Sequence, residues 1–268
     1  DPLLLQVLPT AQERIVTPGF EHDPLQETQY LKAPGLIHKY HGRALLTLTG
    51  VCAIHCRYCF RQHFDYQTQQ GQAHQQAVID YIQANETLEE IILSGGDPLS
   101  LHDDKLISWL NALADIPHLK RLRIHTRLPI VIPSRITDVL CRSLQSCRLQ
   151  CIMVLHINHP NELTEVMRPC LQKLQQHRIT LFNQSVLLKG INDCVATLHN
   201  LSERMLDMGI VPYYLHQLDP VQGGAHFLVP KTKAQHIMTT WLATAPGYMV
   251  PRWVCDTPHQ PYKTPLSL

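Results

Sequence analysis

A repeated change of apolar period is the feature that most narrows the folds open to this chain. Short runs of β-branched and other apolar residues, spaced as strands, give way again and again to segments with apolar residues at helical spacing. The strand-like runs are Ala44–Gly50, Glu90–Leu93, Arg121–His125, Cys151–Ile157, Thr180–Leu188 and Pro212–Leu218. Helical spacing follows over His74–Ala84 and Asp103–Ala114, and from a cap at Ser134 to about Leu144. It follows again from a cap at Asn161, with Leu163, Val166, Met167, Cys170 and Leu171 on one face, and over Ala196–Met208 and Thr232–Ala243. A last apolar run covers Tyr248–Cys255.

Strands joined through a helix by short loops lie parallel, because the helix carries the chain back to the edge from which it started. Six such units predict an α/β fold, a partial (β/α)6 barrel of the TIM type with N- and C-terminal extensions; a doubly wound sheet is the alternative. The expected division is an extension over 1–37, the barrel over 38–247 and a C-terminal segment over 248–268. Barrel chemistry gathers where the strands end, and the polar residues of this chain fall there. They are Cys52–Cys59 after the first strand, Gly95–Asp97 after the second and Thr126-Arg127 after the third. His156–His159, Asn183–Ser185 and His216–Asp219 belong to the remaining three.

Composition excludes several classes. Of 268 residues, 44% are hydrophobic and 17% charged, enough apolar material for a core and too little charge for a disordered chain. Basic and acidic side chains number 23 and 22, a net charge of +1 that lacks the footprint of a nucleic-acid binder. No apolar run approaches the roughly 20 residues that span a bilayer, and no signal segment opens the chain. A soluble protein without membrane or nucleic-acid partners is expected. The first residue is Asp1 rather than Met, which leaves room for residues ahead of it.

The nine cysteines are odd in number, and three of them crowd into Cys52-x3-Cys56-x2-Cys59. That pattern argues for a reducing, cytoplasmic compartment and one thiolate site rather than a disulfide framework. Structural zinc wants four ligands and usually two paired knuckles, and no second CxxC pair exists. Three close cysteines suit a [4Fe–4S] cluster with one iron left open to an N or O donor. The bland reading, three apolar cysteines in a loop, is disfavoured by their spacing and their place after a strand.

Cys52-Ala-Ile-His-Cys56-Arg-Tyr-Cys59 resembles the CxxxCxxC motif of the radical S-adenosylmethionine superfamily, whose fold is a partial barrel. Ser94-Gly95-Gly96-Asp97-Pro98, one βα unit later, is similar to its glycine motif, which implies that Ser94, Gly95, Gly96 and Asp97 contact S-adenosylmethionine. Four further stretches narrow the resemblance to the lysine 2,3-aminomutase family, and within it to the branch that makes β-lysine for elongation factor P. They are His38-Lys-Tyr-His-Gly-Arg-Ala-Leu-Leu46, Arg121-Leu-Arg-Ile-His-Thr-Arg127, Asn183-Gln-Ser-Val-Leu-Leu188 and Pro212-Tyr-Tyr-Leu-His-Gln-Leu-Asp219. The resemblance covers roughly Thr17 to the C-terminus.

The family uses pyridoxal phosphate as well, which implies a lysine that carries it. Lys263, in Asp256-Thr-Pro-His-Gln-Pro-Tyr-Lys263-Thr-Pro-Leu, matches that position, although His259-Gln-Pro-Tyr262 stands where the family has a run of glycines. An amine gives up its proton more readily when desolvated or near other cations. Tyr40 and Arg43 match positions that hold the cofactor phosphate, a role suited to an arginine fork; an ordinary surface ion pair is the alternative for Arg43. Gln184 resembles a position contacting S-adenosylmethionine, while His156 and Asn158 read equally as satisfied core groups.

Arg61 matches the arginine that pairs with the substrate α-carboxylate, and Asp219 and Asp256 match the two acids that take the far ammonium of lysine. Two acids in one closed pocket repel unless a cation sits between them. Without the resemblance, Asp219 is a turn residue before Pro220 and Asp256 a loop acid. The implied activity is conversion of L-α-lysine to β-lysine through hydrogen abstraction by a 5′-deoxyadenosyl radical, with an electron donor for the cluster and a link to elongation factor P modification. A homo-oligomer is compatible with the sequence. Two other readings compete: an aminomutase for glutamate or arginine, and a non-catalytic iron–sulfur scaffold. No structural zinc is expected, and Cys141, Cys147, Cys151, Cys170, Cys194 and Cys255 are assigned to packing.

Overall fold

The computed structural model describes residues 1–268. Its ten strands are β1 (Leu31–Ala33), β2 (Leu36–Tyr40), β3 (Arg43–Thr49), β4 (Glu90–Gly95), β5 (Arg121–Thr126), β6 (Gln150–His156), β7 (Thr180–Val186), β8 (Val211–His216), β9 (Arg252–Cys255) and β10 (Thr264–Pro265). Its helices are α1 (Gln75–Ala84), α2 (Asp103–Ala114), α3 (Leu128–Val131), α4 (Asp138–Ser146), α5 (Arg168–Gln176), α6 (Val195–Asp207) and α7 (Lys231–Thr244).

One sheet contains all ten strands in sequential order. Every pairing from β3 through β9 is parallel. Antiparallel pairs β1·β2, β2·β3 and β9·β10 close off the two edges, and the ends of the sheet do not meet. The fold is therefore an open α/β barrel, as the strand–helix alternation predicts. Its seventh parallel strand, β9, comes from the expected C-terminal segment, so that segment is built into the sheet.

The core explains the period switches. On β3, Ala44, Leu46 and Leu48 alternate onto a buried face. On α2, Leu106, Trp109, Leu110 and Leu113 form a buried stripe at helical spacing, and Asp103 and Asp104 sit in the first turn, where the helix dipole favours them. These groups join a continuous apolar cluster between sheet and helices, each large side chain contributing about 1.5–3 kcal/mol by leaving water. No helix is long and apolar enough to cross a membrane.

Three local expectations are corrected. The N-cap of α4 is Thr137, whose hydroxyl accepts from the Leu140 amide at 3.0 Å, and Ser134 lies in a preceding 3-10 turn. The segment from Asn161 forms two 3-10 turns before α5, which leaves Val166 76% exposed rather than on the buried face. Strands β1, β2 and β10 are additional to the expected set. Before β1 the chain forms short 3-10 turns at Leu4–Gln6, Ala11–Arg14 and Glu27–Tyr30 and an isolated bridge from Glu21 to Val221, and the first turn packs on the cysteine loop. There the Arg57 amide donates to the Gln6 carbonyl at 3.0 Å.

Candidate active site

Parallel register brings the C-terminal ends of β3 to β9 to one rim, and a cavity of about 570 Å³ opens there. That volume lies in the range of small-molecule sites. Cys52, Cys56, Cys59, Arg61, Ser94, Gly95, Gly96, Asp97, Gln184, Asp219, Asp256, Lys263, Tyr40 and Arg43 all line it. Residues spread over more than 200 positions of sequence thus share one chamber.

The cysteine loop follows β3 directly. All three thiols are free, and no three His, Cys, Asp or Glu side chains converge on a single metal ion. Burial first, then the charges of Asp97 and the other two cysteines, push the Cys52 thiol up to about 12. Burial and Cys56 push Cys59 up to about 11. Thiols raised in this way stay protonated near neutral pH unless a strong cation binds.

The glycine motif fits against this loop. Gly95 has φ +114, and an added Cβ would lie 2.7 Å from the Thr49 carbonyl oxygen. At Gly96 it would lie 2.5 Å from the Val51 carbonyl oxygen and 2.7 Å from the Gly50 carbonyl carbon. The close approach seen here is thus to the cysteine loop itself. Asp97 departs from the expected ligand contact. Its carboxylate accepts from Leu99 N at 3.0 Å, Thr126 Oγ1 at 2.7 Å, Arg127 N at 2.7 Å and Leu128 N at 3.0 Å. With its acceptor sites filled, Asp97 ties the ends of β4 and β5 together.

Arg61 is buried and bidentate. Its Nε and Nη2 donate to the two Glu27 carboxylate oxygens at 2.7 Å each, and Nη1 donates to Ser94 Oγ at 3.2 Å. A guanidinium carries five N–H donors, so the end of the fork still has donors for a second anion. Glu27 was not foreseen, because an acid 34 positions upstream in an irregular segment gives no periodic signal.

At the other side of the cysteines, Lys263 and Tyr40 both donate to the Asp256 carboxylate, and Lys39 Nζ lies 3.6 Å from it. Lys263 thus has a carboxylate partner, and Tyr40, expected at the cofactor phosphate, turns to Asp256 here. Coulomb attraction from Lys263 overcomes burial and holds Asp256 well below the usual carboxylate range. Asp219 moves the opposite way: burial, then the Asp256 charge, push it up to about 7. Arg43 has no acidic partner; its guanidinium stacks 4.5 Å from the centre of the Tyr40 ring. The surface ion pair considered for it is absent.

Two imidazole nitrogens in the chamber, His125 Nε2 and His216 Nε2, are buried without a hydrogen-bond partner. Gln184 Nε2 meets His156 Nε2 at 2.8 Å, and burial lowers His156 to about 4. Asn158 is the satisfied core group: it bonds Val186 N, Gln6 and Tyr58. Among the remaining cysteines, Cys141, Cys151 and Cys170 are buried as packing residues, and Cys147 and Cys255 are half-buried. Cys194 is exposed at the start of α6, with Sγ 3.1 Å from Thr197 Oγ1, which corrects its assignment to packing.

Comparison with known proteins adds three findings. Residues 41–116 match the 4Fe-4S single cluster domain family. The chain is 50% identical to an L-lysine 2,3-aminomutase of Escherichia coli over 100% of its own length and 78% of that protein's, and 48% identical to one of Haemophilus influenzae over 98% and 78%. A radical SAM methyltransferase from Sphaerobacter thermophilus shares the fold at a TM-score of 0.55 and 15% identity, covering 82% of this chain and 68% of that one. At these identities over nearly the whole sequence, the chain belongs to the lysine 2,3-aminomutase family.

Proposed function

We propose that this chain converts L-α-lysine to β-lysine by moving the α-amino group to the β-carbon. The observation that carries the reading is the charge layout of the chamber: a buried arginine with spare donors at one place, and at another two acids, of which Asp256 is paired with lysine and Asp219 is not. Such a chamber suits a ligand with a carboxylate and a distant cation. Lysine has both, whereas glutamate would bring a third anion to Asp219 and Asp256.

The residues present fit three groups. Cys52, Cys56 and Cys59 would hold the cluster, since all three are free thiols on the one loop after β3 and all three line the chamber. Ser94, the Gly95-Gly96 backbone and Gln184 line the part of the chamber assigned to S-adenosylmethionine. Lys263 would carry pyridoxal phosphate, with Arg43, free of any acidic partner, for its phosphate and the unpartnered His125 and His216 nitrogens for its polar atoms. When bound, the cluster and S-adenosylmethionine supply a carbon-centred radical that takes and returns a hydrogen atom, and pyridoxal phosphate holds the migrating amino group.

The chain's own residues do the rest. Arg61 orients the substrate carboxylate with its remaining donors while Glu27 fixes the guanidinium plane. Asp219 and Asp256 receive the substrate ammonium, and Lys263 Nζ donates to Asp256 in this structure. Asp219 holds a proton at its carboxyl below about 7 and gives it up to the solvent as the ammonium arrives. Surrounding apolar walls, Leu25, Ile37 and Ile92 among them, keep water from the reacting atoms.

Free thiols and a cluster suit the cytoplasm, a one-electron donor is required as partner, and supply of β-lysine to elongation factor P is the downstream role this reading favours. The test is an anaerobic turnover of reconstituted protein with lysine, glutamate and arginine offered in parallel. β-Lysine from lysine alone supports the proposal; product from glutamate or arginine at an equal rate overturns it.

A further inference from the structure

Behind the cysteine loop lies a buried polar network with no place in the chemistry described so far, and Arg127 is its centre. The residue follows β5 and is buried. Its Nη1 donates to Cys56 Sγ at 2.9 Å and to the Tyr58 hydroxyl at 3.1 Å. Its Nη2 donates to Glu162 Oε2 at 2.7 Å and to Gln6 Oε1 at 2.9 Å. The guanidinium is thus gripped from behind by an acid and an amide while its front edge faces a cysteine sulfur.

The grip is itself held. Glu162 Oε1 accepts from Gln6 Nε2 at 3.1 Å and from the Asn158 and His159 amides at 2.8 and 2.9 Å. Gln6 is fully buried, although it comes from an N-terminal turn most of whose neighbours are exposed. The Arg127 amide is fixed to Asp97 Oδ2 at 2.7 Å. A long cationic side chain has little rotational freedom left here, so the Nη1 to Sγ contact is set by the fold rather than by chance of rotamer.

We propose that Arg127 is a positioning residue for the cluster, raising its reduction potential through the hydrogen bond to Cys56 Sγ, with Gln6 and Glu162 holding the guanidinium in place. This rests on Cys56 being a cluster ligand. Reduction places one electron from a one-electron donor on the cluster; no bond in the protein forms or breaks, and Arg127 keeps its protons. The added negative charge spreads over the sulfurs, and a fixed cation donating to one of them favours the reduced form. Cys56 is the one cysteine of the three that takes a charged side-chain donor. The network therefore makes the cluster easier to reduce at a given donor strength.

The test is an EPR-monitored redox titration of anaerobically prepared, iron-loaded chain, with dithionite as reductant. Arg127→Met alone would leave Glu162 as a buried unpaired charge, so Arg127→Met is combined with Glu162→Gln. Arg127→Lys, which keeps charge but loses the fork, and Gln6→Ala, which loosens the grip without touching sulfur, are read beside it. The double variant should retain iron and show the reduced-to-oxidised ratio at fixed potential lowered about tenfold, a 59 mV fall in midpoint for one electron. Gln6→Ala should shift the same way by less, and Arg127→Lys should fall between. Full iron content with an unchanged midpoint overturns the proposal, as does loss of iron from the double variant with Arg127→Lys loaded and unshifted. Absence of iron from the unmutated chain would instead reject the cluster reading on which it rests.

Discussion

Arg61 and Glu27 meet side-on through two 2.7 Å hydrogen bonds, joining the loop that follows the cysteines to a turn ahead of the first strand. Both groups are buried. Removing one member of such a pair strands the other's charge in a low-dielectric setting, at a cost of about 3 kcal/mol. Glu27→Ala should lower Tm by roughly 5–10 °C and raise KM for lysine, because a freed guanidinium no longer presents its remaining donors in one plane. Glu27→Asp should recover part of both. Thermal melts and steady-state kinetics check this, and an unchanged KM would place the substrate carboxylate elsewhere.

Asp219 gives the site a pH dependence of known sign. Burial and the Asp256 charge raise its carboxyl to about 7, so it is charged above that pH and neutral below it. An ammonium binds the charged form, and below about 7 a proton must leave first. KM for lysine should therefore rise as pH falls, approaching tenfold per pH unit well below the transition. Asp219→Asn should have a high KM that no longer follows pH in this window. A pH profile of kcat/KM for both proteins decides the matter; a persistent limb in the variant would assign it to another group.

How the fold became legible follows from where its information lies. The strand–helix alternation is written locally, and α2 runs over the residues whose spacing announced it. The glycine turn and the cysteine triplet are likewise local. What escaped is held by distant partners: Glu27 reaches Arg61, and Gln6 reaches Glu162 across 156 positions. Neither acid nor amide sits in a segment with an apolar period, so nothing along the chain marks it. Ser134 misled because Ser and Thr are both good N-caps, and Thr137 lies only three residues on. Cys194 misled because a cysteine is buried often enough for packing to be its default.

At Gly96 the structure leaves no room for a side chain. A Cβ would stand 2.5 Å from the Val51 carbonyl oxygen, which is backbone and cannot swing aside. Gly96→Ala should push the cysteine loop away from β4, destabilise the fold by about 1–3 kcal/mol and reduce iron retained after anaerobic loading. Chemical denaturation and iron analysis test it. Wild-type stability and iron content would show that the loop can yield.

In the proposed reading Lys263, which donates to Asp256 and lines the chamber with Arg43, His125 and His216, carries pyridoxal phosphate. Borohydride treatment of the loaded protein should fix the cofactor on the peptide containing Lys263, and Lys263→Ala should bind it only weakly. The same variant leaves Asp256 with Tyr40 and Lys39 as partners, so the fold should survive and the loss should be specific. Label on Lys39 would move the attachment to the neighbouring amine.

The account stands on three cysteines sharing one cluster. Iron and acid-labile sulfide should be determined on chain prepared without oxygen, beside Cys52→Ala, Cys56→Ala and Cys59→Ala. About four of each per chain, an EPR signal on reduction, and loss of both in every variant is the predicted result. Iron and sulfide near zero in the unmutated chain, or undiminished in any one variant, would contradict it.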